Sequence, residues 1–147
     1  MAVTAKTVIH RWFEEVWNQQ REATIHELLA ADAPLHGLAD SPGQVIRGPA
    51  GFLPFWQKFT SAFPNLSIRV DDVVAEGETA AFRCTVTGKH TGKGLGMDPT
   101  SADVNFTGMA MARIRDGKIL EAWNNFDFLS FQQQIGISKL TPDASAR

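Results

Sequence analysis

The stretch "WNNFDFLSF", residues 123–131, sets one carboxylate, Asp127, among Trp123, Phe126 and Phe128. Aromatic neighbours strip water from an ionisable group and disfavour its charged form, which suits a carboxylate to proton transfer near neutral pH. An Asp directly before "FLSFQQQ" is also a favoured helix N-cap, and the two roles do not exclude each other. Trp56 and Trp123 are large enough to stack on a flat polycyclic ligand or to fill a core. Glu121 shares the strand parity of Asp127 and reads as a solvated carboxylate near the strand end. His10 and His26 fall among charged neighbours on helices and read as surface residues. The four histidines and the nearby carboxylates show no close ligand spacing, so no metal site is expected. A single cysteine, Cys84, removes intrachain disulfides and multi-cysteine metal centres.

The elements that must position these groups follow from periodicity. Val8, Ile9, Trp12, Phe13, Val16 and Trp17 have helical spacing, with Lys6, Arg11, Glu14 and Glu15 on the other side. A second helix fits "REATIHELLA". "SPGQVIRGPAG" has loop chemistry, and a third helix fits "AGFLPFWQKFTSAF", with Pro54 tolerable only near its first turn. From residue 65 onward, "NLSIRVDDVVAEG", "ETAAFRCTVTGKHTG", "ADVNFTGMAMARIR" and "GKILEAWNNFDF" read as strands, joined by hairpin turns at "EGE" and "RDGK". Three helices followed by a mostly antiparallel sheet is the α+β pattern, with helices on one face of a curved sheet. The 147 residues fit one domain, 1–147, ending in a polar tail at 137–147 that frays.

Alternation gives the faces. Ile119, Glu121, Trp123, Asn125 and Asp127 share one, and Leu120, Ala122, Asn124 and Phe126 the other. On the preceding strand Gly108, Ala110 and Ala112 form a run of small residues. Either that run leaves room for a pocket, with Asp127 at its mouth or floor, or it lies beneath Trp56 or Trp123 with no cavity at all.

"GKHTGKGLGMDPT" (88–100) and "RDGKILEAWNNFDFLSFQQQIG" (115–136), together with the opening "VIHRWFEEVWNQQ" helix, resemble the SnoaL-like polyketide cyclases of the nuclear transport factor 2-like superfamily. The matching positions are Gly88, His90, Gly92, Pro99, Thr100, Asp116, Gly117, Lys118, Ile119, Asp127, Gln134 and Gly136. The resemblance implies a cone-shaped α+β barrel enclosing a pocket and a homodimer through the outer face of the sheet. It also implies an intramolecular aldol closure of a polyketide ester without metal or organic cofactor, with Asp127 as the general acid/base. It directs His36, in "PLHGLAD", towards the pocket, although a surface position is the plainer reading. It assigns His90 to a motif where it either binds a substrate carbonyl or braces the loop after it. The sequence departs from the cyclases at Ala110, where they carry His, and at "PTSA", where the broader family reads Pro-Thr-Gly-Lys.

The bulk properties narrow the partners. Net charge is −2, with no Lys/Arg cluster, so nucleic acid is not expected. No apolar run approaches a membrane span and no signal-type run opens the chain, which makes a cytoplasmic protein the expectation. Gly92, Gly94 and Gly96 lack the strand-turn-helix setting of a dinucleotide fingerprint. Three readings stand: a cofactor-free cyclase working on a hydrophobic small molecule, a ketosteroid-isomerase-like isomerase or hydratase in the same pocket, and a non-catalytic protein that sequesters such a molecule.

Overall fold

The computed structural model describes residues 3–39 and 41–137. Helix α1 (Ala5–Arg11) is capped by the Thr4 hydroxyl, which accepts from the Thr7 N–H at 3.1 Å. It runs on into a π-helical stretch, Trp12–Asn18, where the sequence predicts a plain helix. The wider turn draws residues four and five apart onto a common arc, and Trp12, Phe13, Val16 and Trp17 are all buried there. Helix α2 (Glu22–Leu28) is tied back by charge. Arg11 donates to Glu15 at 2.6 Å and to Glu27 at 2.7 Å, and Glu15 also accepts from Arg21 and Thr24. These bonds hold both carboxyls below the usual range, the hydrogen bond from Arg11 being the largest cause in each.

Strands β1 (Pro34–His36) and β2 (Ile46–Arg47) form a short antiparallel pair, β2 inside the stretch at 41–51 expected to be loop and β1 before it. Helix α3 (Gly48–Ala62) starts two residues before the expected boundary, which places Pro54 inside the helix rather than in its first turn. Pro54 is exposed, so water can reach the carbonyl that the missing N–H leaves without a donor. Strands β3 (Ser67–Glu76), β4 (Thr79–Lys89), β5 (Asp103–Arg115) and β6 (Lys118–Phe126) complete a six-stranded sheet of order β2-β1-β6-β5-β4-β3. Every neighbouring pair is antiparallel except β1 and β6. The sheet is open, with β2 and β3 as its edges, and does not close into a barrel.

The long hairpin β5–β6 turns at Asp116-Gly117, with φ of 53° and 76°. Positive φ at both residues is what a two-residue type I′ turn requires. Along β5 burial alternates without a break: Val104, Phe106, Gly108, Ala110, Ala112 and Ile114 face the helices, and Met109, Met111 and Arg113 face outward. On β6 the expected parity holds from Glu121 onward and fails before it. Ile114 pairs with Ile119 but Arg113 pairs with Glu121, so Leu120 is a bulge and Ile119 turns inward. Helix α4 (Phe128–Gln134) closes the open end, packing Phe131 on Phe106 at 5.3 Å. Gln134 fixes it in place, accepting from Asn105 N–H at 2.7 Å and donating to Asn105 O at 2.9 Å. The polar tail beyond Ile137 lies outside the described residues.

Candidate functional site

Between the helices and the inner face of the sheet lies a cavity of about 80 Å³. The π-helical stretch supplies Trp12, Phe13 and Trp17, α3 supplies Phe52, Phe55, Phe59 and Phe63, and α4 adds Phe128 and Phe131. The sheet contributes Phe82, Phe106, Ala112, Ala122, Asn124 and Phe126 among others. The rings interlock: Trp12 and Phe52 are 5.0 Å apart, Phe13 and Phe82 5.4 Å, Phe59 and Phe131 5.5 Å. Apart from the indole N–H groups of Trp12 and Trp17, Asn124 is the one polar side chain in this wall among the described residues. Its Nδ2 donates to the His36 carbonyl at 3.0 Å. Since that carbonyl can only accept, the amide orientation is fixed, and the second N–H and Oδ1 remain for a ligand.

The small-residue run on β5 divides between its two possible uses. Gly108 lies under the Phe126 ring, which occupies the space a Cβ would need, so it serves packing. Ala112 borders the cavity and serves space. Ala110, where the resembling cyclases carry His, is buried on the same face but is not part of the cavity wall. The Cys84 thiol, also buried, is pushed up to about 12 by desolvation, which removes it as a nucleophile at neutral pH.

The five residues singled out from sequence occupy four places. Asp127 follows Phe126 and precedes Phe128, both in the cavity wall, yet its own side chain is exposed and is not in that wall. Its Oδ1 accepts from the Ser130 N–H at 3.0 Å, capping α4. Asp127 also borders a shallow outer-face depression with Arg83, Thr107 and Met109. Trp56 is core: it is buried, absent from the cavity wall, and its indole N–H donates to the Val16 carbonyl at 2.9 Å. His90 is fully buried behind Phe63, their rings 5.2 Å apart. Its Nδ1 accepts from the Thr100 N–H at 3.3 Å and lies 3.0 Å from the Thr100 hydroxyl. That geometry braces the 91–101 loop and leaves Nε2 without a partner among the described residues.

His36 and Trp123 are brought together, but on the outer face. They pair across β1 and β6, stack at 5.6 Å, and stand beside Glu121, which accepts from His36 Nε2 at 2.8 Å. Arg113 covers the other side of Trp123 at 5.7 Å and reaches Glu121 at 3.5 Å. Glu121 is therefore held on two sides rather than simply solvated. Asn124 was the residue missed; its inward parity with Ala122 was the available signal.

A family model for SnoaL-like polyketide cyclases matches residues 7–135. The chain belongs to that family. Among solved structures, wild-type IdmH, a proposed polyketide cyclase from Streptomyces antibioticus, is 31% identical with a TM-score of 0.79, covering 91% of this chain and 99% of its own. A proposed SnoaL-like polyketide cyclase from Jannaschia sp. CCS1 is 21% identical over 92% of this chain and 93% of its own, with a TM-score of 0.77. AclR from Streptomyces galilaeus, a proposed hydroxylase, is 23% identical with the same TM-score, covering 97% and 91%. The last two show the fold alone. A comparison with curated proteins finds no match. Membership supports a small-molecule role of the cyclase or isomerase type, and the open α+β cone is the one these structures share. No helix among the described residues is long and apolar enough to cross a membrane.

Proposed function

We propose that this SnoaL-like chain binds a hydrophobic, ring-forming small molecule in the aromatic cavity and closes a ring in it by an intramolecular aldol step. The observation that carries the reading is the cavity wall: aromatic almost throughout, with Asn124 as its fixed polar contact. Apolar walls with a few placed polar groups are the usual make-up of small-ligand sites. Folding a flexible chain so that its reacting carbons meet is a large part of such catalysis. Asn124 can accept from a substrate hydroxyl or donate to a carbonyl, which fixes the register of the fold. Asp127 caps α4 from outside the wall, between the wall residues Phe126 and Phe128, so in this reading its carboxylate leaves the cap and turns inward to take the proton from the carbon flanked by carbonyls and return it to the new alkoxide. Neither step calls for a metal or organic cofactor.

The second reading, a binding protein without turnover, is favoured by one observation: among the described residues no acidic, basic or histidine side chain forms part of the cavity wall. A panel of linear aromatic polyketide esters, followed by mass spectrometry for cyclised product, separates the two. Turnover by the wild type that falls at least about 100-fold in Asp127→Asn supports the enzyme; tight binding of panel members with no product supports sequestration. Met109, Met111 and Val74 are exposed on the outer face of the sheet, which fits a homodimer through that face. Sedimentation equilibrium tests it, and a cytoplasmic setting completes the proposal.

A further inference from the structure

We infer that the ligand site is bipartite and gated: Phe55, Phe59 and Phe128 divide an inner chamber from a vestibule, and a ligand comes to lie across both only when this partition swings aside. The inference rests on the reading of the cavity as a ligand site and adds how it is entered and what shape it takes.

The inner chamber holds about 80 Å³. A dry apolar cavity of about 150 Å³ accommodates benzene, so the chamber as it stands is too small for one aromatic ring. Outside it lies a second space of about 230 Å³, bordered beyond the rings by Lys58, Leu95 and Gln132. Neither space alone reaches the roughly 300 Å³ at which small-molecule sites begin, and joined they do.

The two spaces share Leu38, Phe55, Phe59, Phe128 and Phe131 as walls. Phe131 is buried, whereas Phe55, Phe59 and Phe128 are half-buried and have solvent to turn into. They form one row of rings from α3 to α4, with Phe55 and Phe59 4.9 Å apart and Phe59 and Phe128 6.2 Å apart. The deeper walls have no such freedom: Trp12, Phe52, Phe82 and Phe106 are each less than a tenth exposed and close-packed interiors resist expansion. Volume can therefore be gained at the partition. The occupant is an elongated, amphipathic molecule, its apolar ring system inside with Asn124 and its polar end outside with the Lys58 ammonium and the Gln132 amide.

The test is stopped-flow tryptophan fluorescence of the whole chain with 2-naphthol as probe, in the wild type, Phe128→Ala and Phe55→Ala, each checked for native circular dichroism. A gate makes the observed rate level off as probe concentration rises, because opening becomes limiting, and either truncation lifts the plateau tenfold or more. Should one variant fail to fold, the other and the wild-type plateau carry the decision. A wild-type rate that climbs linearly with probe to the highest concentration, unchanged in the variants, overturns the gate while leaving the cavity as a ligand site. No binding of the probe to any of the three overturns the gate and the proposed function together.

Discussion

Replacing Asp127 by Ala and by Asn separates its two roles. Among the described residues the carboxylate makes one side-chain bond, accepting from the Ser130 N–H at 3.0 Å at the start of a seven-residue helix. Ala abolishes that bond and costs about 1 kcal/mol, whereas Asn caps nearly as well as Asp and costs a few tenths. At this chain length 1 kcal/mol lowers the melting temperature by about 2–4 °C. The loss concentrates on α4, which carries Phe128 at the cavity mouth and the buried Phe131. Asp127→Asn is therefore expected to melt within about 1 °C of wild type while losing the base, so any fall in turnover is chemical. Asp127→Ala should lose both. Thermal melts by circular dichroism, run beside the ester panel, read the two quantities separately. If Asn destabilises as much as Ala, capping is not what the side chain contributes to stability. If Asn keeps full turnover, the base lies elsewhere.

Glu15→Gln should lower stability by about 2 kcal/mol at pH 7, since Glu15 accepts from Arg11, Arg21 and Thr24 and hydrogen bonds to charged groups are worth about 1.5–3 kcal/mol. Its carboxyl sits below the ordinary glutamate value, so the folded state binds fewer protons. The stabilisation is complete above the ordinary value of about 4.3 and is lost as pH falls through the lowered folded value. Urea titrations of wild type and variant should converge at low pH, and a gap that persists there would refute the ion-pair account. Gly108→Ala should cost about 1–3 kcal/mol by driving its methyl into the Phe126 ring. In a Phe126→Ala background the same change should cost little, and equal costs in both backgrounds would show that the ring is not what constrains the glycine.

The sequence made some of this legible for definite reasons. The alternation of β5 and the Asp-Gly turn are local patterns with one reading each, and both stand. Trp12, Phe13, Val16 and Trp17 suit an α-helix and a π-helix alike, so the pattern could not announce the widening. The bulge at Leu120 was hidden because Ile119 and Leu120 are both apolar and nothing marks which one skips. His36 and Glu121 are 85 residues apart, and their meeting depends on the parallel pairing of β1 with β6, which no local period encodes. Parity groups Asn124 with Ala122 and Phe126 but does not say which face is inward, and Asp127, which offers more chemistry, lies where the strand has ended and strand parity no longer aims the side chain.

The cavity itself has an energetic argument. At about 24 cal/mol per Å³, a fold whose side chains leave a space of about 80 Å³ forgoes about 2 kcal/mol of packing, a noticeable part of the 5–15 kcal/mol by which a domain is stable. The fold has ready means to recover it, because Ala112 and Ala122 border the space and each could be a larger apolar residue. Gly108 shows the contrast, since the ring of Phe126 already fills its place. The walls that are small for packing and those that are small for space are thus different residues on one sheet. Ala122, of the second kind, lies two residues before Asn124 on β6, and the Asn124 amide in the same wall is held by the His36 carbonyl. A polar group fixed in an apolar space that side chains leave open adds little to folding, whereas a ligand held there gains dispersion contacts and a hydrogen bond with the Asn124 amide.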